Sequence, residues 1–291
     1  MPGYTQADLE KYRAKTFRLL PKLRLHFERD AIHFVNQRGF IFFWPVKNVL
    51  LPSLWGAVAG DRPVPNNHDD PAHISWRWKD HLLGKKKWYY ARVLRKRNTI
   101  ISLRTLPYFY ALSPNFGDPE NDYLIQYEQG LLPMEAKSVF EALLREGPLD
   151  TLALKRAANL TSPNNESRFN RALDILQADF RILPVGIAEA GTWKYAFIYD
   201  VVQSHFPELI DNSRKISQST AREHLLKTYL MTIGACPTNE SNRLFKWKEN
   251  EIEHSIKILL TKNEIVQTKL FAGDEREWLA INQFPARDIY I

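Results

Sequence analysis

The sequence predicts a mainly α protein with β elements, of the α+β class, and three observations predict it. A helix–helix–helix–hairpin order can be read in residues 134–212 and again in residues 213–291. Between about 62 and 133 the β-branched and aromatic runs "WYYARVL", "TIISL" and "YFYAL" read as strands. The apolar residues elsewhere recur at helical spacing.

The first element is a helix carrying Leu9 and Tyr12, with Phe17, Leu19 and Leu20 behind it. "RDAIHFVNQRG" reads as a second helix, closed by Gly39 in the left-handed conformation that a helix end favours. "RPVPNNHDDP" (62–71) is dense in Pro, Asn and Asp and is expected to be loop. "MEAKSVFEALLREGPLD" places Val139, Phe140, Leu143 and Leu144 on one helical face and stops at Gly147–Pro148. "TLALKRAANL" is a short helix. "SPNNESRFNRALDILQAD" is expected to start with Ser162 as cap and Pro163 in the first turn, with Phe169, Ala172, Leu173 and Leu176 as its apolar stripe. "RILPVGIAEAGTWKYAFIYDVV" is a hairpin about Glu189–Gly191. The order returns with "STAREHLLKTYLMTIGA", capped by Ser219 or Thr220, then "TNESNRLF" and "KENEIEHSIKILLTKN" as helices. "EIVQTKLF" and "REWLAIN" then supply two strands. Three helices followed by a hairpin is the order of a winged helix-turn-helix. The predicted organisation is therefore a basic N-terminal unit over 1–133 with a strand-rich insert, a second winged helix over 134–212 and a third over 213–291.

Composition narrows the function. The 291 residues carry a net charge of +7 and 36 aromatic side chains. Residues 1–104 hold 20 Lys+Arg against 8 Asp+Glu, whereas residues 105–291 hold 20 against 25. A segment so basic suits a polyanion, most often nucleic acid. No apolar run approaches the roughly 18 residues of a membrane span, and the first fifteen residues lack a secretory core. A lone Cys236 excludes an internal disulfide or a multi-cysteine zinc site. The expected setting is cytoplasmic, at or near the nucleoid, with no membrane partner.

The densest cationic run is "KKKWYYARVLRKR" (85–97). Lys85, Lys86, Lys87, Arg95, Lys96 and Arg97 are expected to contact phosphates from a two-faced strand. In the second winged helix the third helix opens with Asn164, Asn165, Ser167 and Arg168, followed by Arg171. These side chains bond either base edges or phosphates. Trp193 and Lys194, at the hairpin tip, are further DNA-binding candidates. The third winged helix presents Glu249, Glu251 and Glu253 instead, which oppose phosphate. His68, Asp69, Asp70 and His73 match no metal-ligand spacing, and their setting is a turn in which Asp caps backbone N–H groups. No phosphate loop, dinucleotide fingerprint or nucleophile elbow is present, so neither metal nor cofactor is expected.

Taken with "GPLDTLALKRA" and "ALDILQADFRILPVGIAEAGTWKYAFIYDVV", the tandem order resembles the winged-helix DNA glycosylases of the AlkZ/YcaQ type. The likeness covers most of residues 30–282. It is nearer to a shorter branch marked by stretches such as "LPSLWGAVAGDRPVPNNHDDPAHISWRWKD". The resemblance implies duplex DNA, intact or damaged, as partner and a role in DNA repair or lesion recognition. It also implies a further winged-helix-like unit within residues 1–60. Active members carry Gln-X-Asp or Gln-X-Gln after a Gly-aromatic-aliphatic run, and here that run is Gly39–Phe40–Ile41. The motif positions fall on Phe42 and Trp44, which cannot activate water. The resemblance therefore implies binding without the family's chemistry. Two alternatives stand beside it. One is an active glycosylase with a remade site, for which Glu128, Asp69 and His68 are the nearest candidates. The other is a winged-helix protein-interaction scaffold.

Overall fold

The computed structural model describes residues 5–66, 69–115, 118, 120–191, 194–271 and 273–282. It divides into two compact units, one of residues 1–76 with 218–291 and one of residues 77–217.

The first unit begins with α1 (Gln6–Thr16), where Thr5 and Asp8 cap each other across the first turn. Next come α2 (Glu28–Arg38) and β1 (Phe40–Phe42), joined at Gly39 with φ 78°. α3 (Leu54–Ala59) is capped by the Ser53 hydroxyl, which accepts from the Gly56 N–H. The chain leaves through a 3-10 turn at Pro71–His73 into α4 (Ile74–Leu82).

The second unit opens with the antiparallel pair β2 (Tyr89–Arg92) and β3 (Asn98–Ile101), followed by α5 (Leu106–Tyr110) and α6 (Asp122–Glu128). Its main module runs α7 (Met134–Glu146), β4 (Leu149–Asp150), α8 (Thr151–Ala157), α9 (Glu166–Ala178), β5 (Ile182–Ala188) and β6 (Ala196–Val201). The strands lie in the order β4-β6-β5, so the first strand flanks a hairpin. Phe140, Leu143, Phe169, Leu173 and Leu176 meet Ile182 and Tyr199 in one core. Gly147 ends α7 with φ 78°. α10 (Val202–His205) and α11 (Glu208–Arg214) complete the unit.

Back in the first unit, α12 (Gln218–Ile233), β7 (Ala235–Pro237), a 3-10 turn at Thr238–Glu240, α13 (Glu249–Thr261), β8 (Ile265–Thr268) and β9 (Trp278–Ile281) repeat that module. Its strand order, β7-β9-β8, has the same form. The α-β-α-α-β-β succession also runs along the chain from α2 to β3. Among the described residues no helix is long and apolar enough to cross a membrane.

Several expectations need correction. "YFYAL" is not a strand: Pro107 fits the first turn of α5, and Leu106, Phe109 and Tyr110 are buried on it. Ser162 makes no capping bond, because Pro163–Asn165 form a separate 3-10 turn ahead of α9. Ser219 and Thr220 lie inside α12 rather than capping it. "TNESNRLF" contributes only a 3-10 turn. Leu144 points to solvent, 48% exposed.

Candidate nucleic-acid interface

Seven cations in thirteen residues do not make one flat strand face. After α4 the chain bends at Gly84, φ +72°, where a Cβ would stand 2.4 Å from the Val185 carbonyl oxygen. Only glycine fits that approach. Lys85 then bonds the His81 ring, the Lys86 ammonium sits 5.8 Å from the Phe206 ring centre, and Lys87 is exposed with no partner among the described residues. Strand β2 itself is buried: Tyr89, Tyr90 and Ala91 have almost no exposure. The expected two-faced strand with Lys87 on one face is therefore replaced by four strand residues with basic segments at each end.

Arg92 is spent on structure. Its Nη1 lies 2.6 Å from Asp174 and its backbone N–H donates to Gln177, which ties the hairpin to α9. Beyond it Arg95 and Lys96 adopt left-handed φ values of 56° and 53°. Thr99 holds this tip, its hydroxyl accepting from the Leu94 N–H and donating to the Arg97 carbonyl. Arg95, Lys96 and Arg97 are all exposed. By the register, Tyr89 faces Ile101 and Arg92 faces Asn98, so the two triplets occupy opposite ends of the hairpin, roughly 13 Å of strand apart.

Helix α9 presents a second polar surface. Asn164, Ser167, Arg168 and Arg171 are exposed, and Asn165 is half-buried. Glu166, the acidic residue of this turn, is paired with Lys155, which holds its carboxyl below the usual range. Arg168 reaches Glu135 only at 3.5 Å, an exposed contact that adds little stability. Arg171 has no hydrogen bond or ion pair among the described residues. At the β5–β6 tip, Lys194 is exposed with φ 49° and its N–H bonds the Gly191 carbonyl. Trp193 lies outside the described residues, as does His68.

Below that tip lies a cluster that sequence reading missed. Lys79 is buried, 1% exposed, with its ammonium 2.5 Å from Asp80 and 2.8 Å from the Tyr195 hydroxyl. The same hydroxyl donates to Asp80, and the ammonium stands 4.7 Å from the Phe197 ring centre. Burial lowers the Lys79 pKa against the pull of Asp80. A second cluster surrounds Arg181, which is 2% exposed and whose three guanidinium nitrogens have no hydrogen-bond partner among the described residues. Asp179, Asp122 and Tyr110 act on it electrostatically, and desolvation raises Asp179 to about 6. Pattern reading assigns Lys and Arg to the surface, so neither cluster had a sequence signal beyond "RWKDH" and "ADFR".

The Phe40–Trp44 run is apolar in fact as well as in sequence. Phe42 has no exposure, and its N–H donates to the Pro52 carbonyl at 2.9 Å. A glutamine there would place an amide in the core with its hydrogen bonds to find. Trp44 is half-buried beside Phe43, Trp55 and Trp76, at ring-centre distances of 4.6, 5.4 and 5.9 Å. His73 adds an edge at 6.2 Å. Arg62 spans Asp70 with bonds of 2.8 and 2.6 Å and covers the Trp55 ring. Asp70 also accepts from the Ala72 N–H, the capping role its turn predicts. Gln37 bonds Arg18 and His33, while Gln126 donates to the Pro114 carbonyl. Glu128 is exposed and makes no side-chain bond among the described residues.

The family model described as "AlkZ related" matches residues 25–246, three quarters of the chain. The chain belongs to the AlkZ-related family. In fold it is similar to the Streptomyces sahachiroi DNA glycosylase AlkZ, with a TM-score of 0.61 over 97% of this chain and 71% of that one. The two are 13% identical, so this likeness speaks for the fold alone. No curated protein matches the chain. The AlkZ-related match includes the aromatic cluster, both basic triplets, α9 and Lys194, and ends just before α13.

Proposed function

We propose that this AlkZ-related protein binds duplex DNA through its phosphates, in a repair or lesion-recognition role, without excising bases by the Gln-X-Asp or Gln-X-Gln chemistry. The observation that carries the reading is a set of exposed cations in the second unit. Lys87, Arg97, Arg171 and Lys194 have no carboxylate partner among the described residues. Cations free of internal partners release DNA counterions at no cost in broken ion pairs. Asn164, Ser167 and Arg168 add hydrogen-bonding groups that read bases or hold register. Trp44 and Trp76 offer ring faces on which a displaced base stacks, a contact that needs no proton transfer.

The test is a titration of duplex DNA across salt concentrations. Affinity is expected to fall steeply, with a log–log slope near −0.9 per contacted phosphate. A flat salt dependence, or no complex at low salt, rejects the reading. A second reading, excision from a remade site, draws on Asp179, a carboxyl at about 6 beside the buried Arg181 guanidinium, which makes no hydrogen bond among the described residues. A carboxyl near neutral pH suits general acid–base work. Base release that vanishes in Asp179→Asn with binding retained would favour it.

A further inference from the structure

The β5–β6 hairpin carries Lys194 at its tip, and its third strand ends well before the tip is reached. The ladder runs from Ile182↔Val201 to Ala188↔Ala196, with a register shift between Pro184 and Gly186. Strand β4 meets β6 at Tyr199 and Ile198, toward the base. From α8 the Thr151 hydroxyl donates to the Phe197 carbonyl, one pair short of the ladder's end. A two-stranded ribbon without further cover is only marginally ordered in water. A tip that must meet a phosphate backbone in one place therefore needs a tether of its own.

Tyr195, between Lys194 and the first residue of β6, supplies that tether. We propose that Tyr195 is a positioning residue for DNA binding: by bridging Lys79 and Asp80 of α4, its hydroxyl holds the tip so that Lys194 meets a phosphate in a fixed place. The inference rests on the DNA-binding reading and adds to it a side chain that acts through Lys194.

The bridge uses the hydroxyl as both acceptor and donor. It accepts from the Lys79 ammonium at 2.8 Å and donates to the Asp80 carboxylate at 2.9 Å. The same carboxylate oxygen lies 2.5 Å from the ammonium, so the three groups close a triangle. Phenylalanine would keep the ring, 5.6 Å from Phe197, and lose both bonds. Lys79 is buried, and the rings of Phe197, Tyr195 and Tyr90 stand 4.7, 5.5 and 5.6 Å from its ammonium. Exclusion of water makes hydrogen bonds there stronger than at the surface. Nearer the base, the bend after α4 braces the same hairpin, where Gly84 passes close to the Val185 carbonyl. The hairpin is thus held at two heights.

A direct contact with DNA does not explain the cluster. Lys79 is too buried to meet a phosphate, and Asp80 neutralises it. The exposed cation beside it is Lys194, whose N–H bonds the Gly191 carbonyl. Glu189 is exposed on the same turn and repels phosphate, so the place of Lys194 matters as well as its charge. Ordering a loop only on binding costs affinity, and a tip ordered beforehand avoids that loss.

Titrations of duplex DNA at several salt concentrations test the inference on the parent, Tyr195→Phe, Lys194→Gln and the double variant. Tyr195→Phe is expected to weaken binding about fivefold at low salt and to flatten the log–log slope by about 0.9, the share of one phosphate. Lys194→Gln should do the same. The double variant should bind within about twofold of Lys194→Gln, because both changes remove one contact. A merely structural role would leave the slope at its parent value and add its loss to that of Lys194→Gln. Hydrogen exchange at the Lys194 amide should be at least about tenfold faster in free Tyr195→Phe, which reports the loosened tip without DNA. If Tyr195→Phe does not fold, Lys79→Met combined with Asp80→Leu replaces the ion pair by apolar groups and should flatten the slope equally. Parent-like affinity and slope in folded Tyr195→Phe overturns the inference and leaves the DNA-binding reading standing. Unchanged exchange at Lys194, or losses that multiply in the double variant, overturns it in the same way. No complex with the parent at low salt removes that reading, and this inference with it.

Discussion

Helices α9 and α13 hold the same place in two modules of the same strand order, β4-β6-β5 and β7-β9-β8, yet offer opposite chemistry. Along α9 the exposed side chains are Ser167, Arg168, Asn170 and Arg171, with the acidic Glu166, also exposed, tied to Lys155. Along α13 they include Glu249, Asn250, Glu253, His254 and Lys257, so its first turns are acidic, with Glu251 turned onto Arg222 at 2.6 Å. Both helices bury an equivalent apolar face, Phe169, Leu173 and Leu176 in one and Ile252, Ile256 and Leu259 in the other. The buried face makes the module; the exposed face decides what it touches. A helix start crowded with carboxylates repels phosphate, whatever its fold suggests.

The comparison breaks first at the basic triplets that accompany α9. Replacing Lys85, Lys86, Lys87, Arg95, Lys96 and Arg97 by glutamine should lower duplex affinity at low salt by at least about a hundredfold and flatten the salt slope. The two triplets sit at opposite ends of one hairpin, so each alone should account for part of the loss. Parent-like affinity in a folded sextuple variant would reduce the run to a solvated edge.

The next effect is on stability, at the C-terminal end of α9. Asp179 holds its proton to about 6 in the folded chain, against about 3.9 when unfolded. The folded state therefore binds that proton more tightly. Its favourable contribution is complete below about pH 4 and is lost as pH rises through 6. Asp179→Asn should remove that slope, making the variant more stable than the parent at pH 7.5 by about 2 kcal/mol. Chemical denaturation at pH 4.5 and 7.5 measures it, and an unchanged pH dependence would show that Asp179 titrates normally.

Smaller effects sharpen the contrast between the helices themselves. Arg168→Ala and Arg171→Ala together should cost about tenfold in affinity, with stability held to within about 0.5 kcal/mol because both are exposed. A large drop in Tm with binding intact would make them structural. On α13, Glu249→Gln with Glu253→Gln should change affinity by no more than about twofold, since removing repulsion does not create a contact. A gain as large as the α9 loss would mean that α13 also faces DNA.

What could be read from sequence followed physical signals that are local. Gly39 and Gly147 end their helices in the left-handed conformation only glycine adopts cheaply, and the Phe169 stripe is buried where its spacing places it. "YFYAL" misled because a short aromatic run has no period that separates strand from helix, and Pro107 was the better signal. The strand reading of "KKKWYYARVLRKR" overlooked Gly84 and the left-handed Arg95–Lys96 tip, which shorten β2 to four residues. Lys79 and Arg181 were invisible for a different reason. Burial of a charge depends on residues far away in sequence: Tyr195 for Lys79 and Asp122 for Arg181. No window along the chain contains that information.

The central claim, DNA binding with the family's excision chemistry absent, is tested most directly by one assay. Purified protein is incubated with duplexes carrying a single alkylated base, and complex formation and alkali-sensitive strand breaks are measured on the same samples. The account predicts a salt-sensitive complex and no breaks above the protein-free background, because Phe42 is buried in the core and Trp44 has no basic group to activate water. Base release by the pure protein, at a rate set by enzyme concentration, would contradict it.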